Sequence, residues 1–190
     1  MNEPDAESPR RSRARTPVSE LPPEEARRKA KEVCFDLLAA RPRTKQELRS
    51  ALVRKGFDGE ICDELLRKLD DAGLIDDAAF AETWVRSRHT HQGLAKRALV
   101  TELRRKGVDS EVAAEAAGEI DAHAEEERAR ELVRKKLRTM TGVDEQKATR
   151  RLLGMLARKG YPQGLSYGVV REELRNAGAE STPLDDATPD

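Results

Sequence analysis

Aromatic residues make up only 3% of this 190-residue chain. Such a shortage excludes one large globular core, because Phe, Tyr and Trp supply much of the burial in such cores. Cysteine is scarce too: two residues, too few for a disulfide scaffold. Cys34 and Cys62 fall in apolar helical patterns, so both are expected as buried free thiols of a reducing compartment. No apolar run approaches the ~18–20 residues that span a bilayer. The first residues, MNEPDAESPRRSRARTPVSELPP, lack the apolar stretch of a secretory signal. The expectation is a cytoplasmic protein with no membrane contact. A GxxxxGK[ST] phosphate loop is also missing, so nucleotide hydrolysis by this chain is not expected.

Charge is what the chain has in plenty, at 38% of residues and with no net excess of either sign. Small helical bundles suit this composition, since each buries a thin apolar seam and leaves a long charged face in water. The charge is unevenly placed. Counting Lys, Arg, Asp and Glu, residues 122–175 carry 13 bases and 8 acids, a net of +5. Such a bias permits an acidic or nucleic-acid partner without demanding one.

One heptapeptide recurs. LVRKGFD at 52–58 returns as LRRKGVD at 103–109 and LARKGYP at 156–162, each with a leucine four residues upstream: Leu48, Leu99 and Leu152. A period of about fifty residues marks a supersecondary unit used three times. Apolar residues recur at three and four rather than at two, which predicts nine helices and no strand. The predicted fold is all-α, with three tandem three-helix repeats forming an elongated, curved array. The expected divisions are a disordered arm at 1–23, repeats at 24–73, 74–121 and 122–176, and an acidic disordered tail at 177–190.

Turn chemistry explains the centre of the motif. Gly56, Gly107 and Gly160 follow the last leucine of a helix, where a left-handed residue closes the helix end. The apolar residue after each glycine (Phe57, Val108, Tyr161) is expected to fold back on the last turn. Asp58 and Asp109 are expected to cap the next helix, and Pro162 fits its first turn. Thr44 and Glu47 have capping-box spacing. Phe80 and Trp84, four residues apart, are expected in the core of the second unit.

Catalytic and metal candidates are weak. His89-Thr90-His91 lacks a surrounding ligand cluster and reads as an exposed interhelix turn. Asp70-Asp71 and Asp76-Asp77 are explained as helix ends and caps without acid–base work. No cofactor is expected. The basic pairs ahead of each glycine favour a helix C-terminus electrostatically. Basic residues also continue further back, at Lys96, Arg97, Arg150 and Arg151, and would line one edge of a stacked array. Two readings follow: an interaction module with basic second helices, or a helix-turn-helix DNA-binding regulator. The third helices of the latter should be basic, whereas EICDELLRKLDD and SEVAAEAAGEID are not.

GLIDDAAFAETWVRSR at 73–88, followed by GLAKRALVTELRRKGVD at 93–109, resembles the RecX regulatory family, and the resemblance extends over about residues 29–175. It implies tandem three-helix repeats and binding to the RecA recombinase assembled on single-stranded DNA. It further implies lying along the filament groove and suppressing ATP hydrolysis, strand exchange and the co-protease activity that triggers the SOS response. The expected partners are the RecA filament and single-stranded DNA, with duplex DNA as a further candidate, and the expected state is a monomer. Candidate contacts are Arg86, Arg88, Lys96, Arg97, Arg104, Arg105, Lys106, Arg150, Arg151, Arg158 and Lys159. Reversal of Arg104, Arg105, Arg158 and Lys159 together is expected to weaken inhibition. Gly56, Gly107, Gly160, Phe80 and Trp84 are expected to be structural.

Overall fold

A computed structural model describes residues 17–180. Among them are nine α-helices and no strand: α1 Pro23–Ala40, α2 Lys45–Arg54, α3 Gly59–Asp71, α4 Asp77–Gln92, α5 Lys96–Arg105, α6 Ser110–Gly118, α7 Ala122–Leu137, α8 Glu145–Arg158 and α9 Gln163–Glu180. All extensive helix–helix packing falls within three sets, α1–α3, α4–α6 and α7–α9. Each set is a three-helix unit with its own apolar cluster.

The repeated leucines are the reason. Leu48 and Leu52, Leu99 and Leu103, and Leu152 and Leu156 are all fully buried at the centre of their units. Removing a leucine of this kind to alanine costs about 2–5 kcal/mol. Around them the chain economises on volume: Ala113, Ala116 and Ala117 are the buried residues of α6. Small side chains let the helices approach closely, which is how so few aromatics suffice.

Each middle helix then ends on its glycine. Gly56, Gly107 and Gly160 have φ of 90°, 83° and 86°. The following amide turns back to the helix: Phe57 N–H donates to Leu52 O at 3.2 Å, Val108 to Leu103 at 3.1 Å and Tyr161 to Leu156 at 3.1 Å. This is the Schellman arrangement, and it satisfies carbonyls the helix end would orphan. Phe57, Val108 and Tyr161 are buried, as expected. Asp58 and Asp109 cap α3 and α6 through backbone amides.

Some local expectations are corrected. Pro162 stands one residue before α9, its carbonyl accepting from Ser166 N–H. His89 and His91 lie in the last turn of α4 rather than in a loop. The His89 ring nitrogen Nδ1 is 2.9 Å from Leu94 O, tying the helix end to the next segment. The arm expected at 1–23 is structured from Pro17: Val18–Glu20 form a 3-10 turn, and Val18 packs on the first core. The tail expected from 177 starts inside α9, which continues to Glu180. Residues 1–16 and 181–190 lie outside the described residues.

Candidate functional site

The units meet through two joints built on one pattern. The start of a middle helix grips the glycine corner of the following unit. In the first joint Thr44, the N-cap of α2, accepts from Glu47 N–H at 3.1 Å and donates its hydroxyl to Lys106 O at 2.5 Å. The adjacent Lys45 N–H donates to Asp77 Oδ1 at 2.9 Å. In the second joint Ala95 N–H donates to Lys159 O at 2.9 Å, and Lys96 N–H to Glu125 Oε1 at 2.9 Å. Orphan amides at a helix start are thus satisfied by the next unit. Tyr161, behind the second joint, donates its hydroxyl to Gly93 O at 3.1 Å, and burial pushes that phenol far above its ordinary pKa.

The motif lysines reach back across these joints. Lys106 Nζ donates to Glu47 Oε1 at 2.7 Å and lies 4.2 Å from the Trp84 ring centroid and 5.7 Å from that of Phe80. Burial pushes the Glu47 carboxyl up, but hydrogen bonds from Lys106 and Arg41 outweigh it and hold the carboxyl below its usual range. The capping box is therefore only half formed. The Glu47 side chain serves the joint instead of returning to Thr44. Trp84 is half-buried, donates Nε1–H to Glu102 at 2.9 Å, and also faces the Arg88 guanidinium at 4.4 Å. Lys159 Nζ donates to Gln92 O.

Asp77 is half-buried, and burial raises its carboxyl pKa despite the hydrogen bond from Lys45. A raised carboxyl pKa means that its charge contributes no stability at neutral pH; the acceptor oxygen does. Asp77→Asn keeps an acceptor and removes only a charge that burial already disfavours, so it should cost little. Asp77→Ala leaves the Lys45 amide unpaired, at about 1–3 kcal/mol. Urea unfolding should therefore rank alanine clearly below asparagine, and equal losses would contradict this account.

The other chemical candidates have structural partners. Asp76 caps α4 through Ala79 N–H, and Asp70 pairs with Lys45 at 2.7 Å. Cys34 and Cys62 are free and buried, and burial pushes the Cys34 thiol up to about 11.

Of the eleven cations anticipated from the sequence, Arg88, Lys106 and Lys159 have their charged groups engaged within the protein. The other eight make no ion pair among the described residues. Three of these eight come together: Arg97 and Arg105 on α5 and Arg158 on α8 line one groove of about 810 Å³ between the second and third units. Its one acid, Glu102, is occupied by Trp84 and Arg88. An adjoining groove adds Arg150 and Lys147 and shares Leu153 and Tyr167 with the first. Arg86, Lys96, Arg104 and Arg151 lie outside both. A further groove gathers Lys135, Lys136 and Arg138 of the α7 end beside Lys159. Those three, with Lys147 and Tyr167, were not anticipated. Lys135, Lys136 and Arg138 lie at the end of a first helix and Tyr167 on a third, while Lys147 is on a middle helix but upstream of the repeated heptapeptide.

Fold and surface together define a class: a tandem three-helix repeat protein that uses much of its polar chemistry on joints and presents unpaired cations outward. Residues 30–69, 76–116 and 124–170 match the first, second and third three-helix domains of RecX, in that order. The chain belongs to the RecX regulatory family. It is 68% identical over 174 residues to the regulatory protein RecX of Amycolatopsis mediterranei, covering 92% of this chain and 99% of that one. The RecX of Mycolicibacterium smegmatis is 50% identical over 151 residues, covering 77% and 80%. The fold is similar to a crystal structure of RecX from Lactobacillus salivarius at a TM-score of 0.72 and 20% identity, covering 80% of this chain and 99% of that one.

Proposed function

We propose that this protein is a negative regulator of recombination and the SOS response. It binds the RecA–single-stranded DNA filament along its groove and inhibits ATP hydrolysis, strand exchange and co-protease activity. The observation that carries this reading is the groove of Arg97, Arg105 and Arg158, whose free cations come from two consecutive units of a three-unit chain. A helical polymer repeats its surface, so a serial protein can touch neighbouring subunits at once. Linked weak contacts then raise effective concentration and favour the polymer over its free subunits. No catalytic residue is required, because inhibition follows from bridging subunits and fixing their interface. The protein acts as a cytoplasmic monomer in this reading.

RecA's DNA-dependent ATPase tests it. With this protein added far below one copy per RecA, the rate should fall steeply, and the protein alone should hydrolyse nothing. An unchanged rate, together with tight sequence-selective duplex binding, would overturn the proposal in favour of a DNA-binding regulator.

A further inference from the structure

We propose that Tyr167 is a stacking platform for an unpaired base, with the arginines around it holding the phosphates of a single-stranded nucleic acid. This refines the reading of the groove as the filament-facing surface.

Tyr167 is 52% exposed, in a chain with only two tyrosines. The other, Tyr161, is buried with its hydroxyl bonded to Gly93. Tyr167 has neither excuse. Helix α9 turns Ser166, Val169, Val170 and Glu173 inward, and Tyr167 stands off that stripe. Among the described residues its ring has no aromatic or cation partner, and its hydroxyl no hydrogen bond. An aromatic face held in water by a helix is open to a planar ligand.

The surroundings state what kind of ligand. Tyr167 borders three adjoining grooves, which bring Arg97, Arg105, Arg158, Lys147, Arg150 and Arg171 around it. The acids there are Glu102, Asp144 and Glu145, so cations lead by six to three. Glu102 is bound by Trp84 and Arg88, and Asp144 accepts from Lys147 N–H as the cap of α8. None of the six cations forms an ion pair among the described residues. An aromatic face set in a basic groove is the arrangement that binds single strands, with stacking on the base and cations on the backbone. A duplex keeps its bases inside the stack and would leave the ring uncovered. A peptide of acidic side chains alone would use the arginines but offers no aromatic ring to stack on Tyr167.

The test uses the full chain, a fluorescein-labelled oligothymidylate and no RecA, so its outcome is separate from that of filament inhibition. Tyr167→Ala should weaken binding by about tenfold, within the range of one base–aromatic stack. Tyr167→Phe, which keeps the ring, should bind like the wild type. An abasic strand of equal length should bind the wild type as weakly as the thymidine strand binds Tyr167→Ala. Helicity and melting should be unchanged in both variants. Equal binding of the two strands, unaltered binding by Tyr167→Ala, or no binding by the wild type at low salt would each overturn the proposal. So would a Tyr167→Ala protein that binds the strand normally but fails to inhibit RecA, because the ring would then belong to a protein contact.

Discussion

Gly160→Ala is expected to destabilise the protein about twofold or more beyond Gly56→Ala, although both glycines occupy one position of one motif. Each has a left-handed backbone, with φ of 86° and 90°. The conformational cost of a Cβ there, about 1–2 kcal/mol, is therefore common to both. What differs is the space. At Gly56 the nearest group to a new Cβ is Val18 Cβ at 4.0 Å, an ordinary contact. At Gly160 the Cβ would stand 2.7 Å from Ala98 Cβ and 2.8 Å from Ala98 N. Backbone cannot swing aside as a flexible side chain can. The second joint must open or shift, adding an overpacking cost of about 1–3 kcal/mol. Gly107 resembles Gly160, with Gln46 Cβ at 2.2 Å. Urea denaturation of the three alanine variants gives the ranking directly. Faster hydrogen exchange at the Ala95 and Lys96 amides should accompany Gly160→Ala only. Equal losses at all three sites would mean that the corners matter for turn geometry alone.

The triple reversal Arg97→Glu, Arg105→Glu and Arg158→Glu should raise the amount of protein needed for half-inhibition of RecA by well over tenfold, with helicity unchanged. All three side chains line the same groove, so repulsion is concentrated where an anionic partner would sit. The matched control is Arg86→Glu, Arg104→Glu and Arg151→Glu, an identical change of net charge outside the groove. It should cost only a few-fold, most of that through slower, salt-sensitive encounter. Similar losses in the two triples would assign the effect to net charge and remove the groove from the account. Lys159 belongs in neither set, because its ammonium bonds Gln92 across the second joint. Reversing it would mix loosening of the array with loss of contact.

The sequence made the units readable because their determinants are local. A glycine with positive φ, an aspartate cap and leucines four apart act within a dozen residues, and each was placed to within a residue or two. The joints were hidden because they pair distant segments: Thr44 reaches Lys106 and Tyr161 reaches Gly93. Thr44-x-x-Glu47 illustrates the limit. Its spacing announces a self-contained cap, yet half of it is diverted to the next unit by an ion pair no local rule contains. The cations divide the same way. Lys106 and Arg105 are neighbours in one basic run, but the helix turns one into a joint and the other into a groove. Tyr167 gave no signal, because an exposed and a buried tyrosine differ only in what the third dimension puts beside them.

The single tryptophan lies under the Lys106 ammonium that ties the first two units together, with the Arg88 guanidinium near it as well. Indole emission responds to nearby charge and to water, so this residue is a built-in optical gauge of bending between those units. A protein that docks as a stiff body would keep its emission spectrum unchanged. One that flexes to follow a helical track would shift it, without any label being attached.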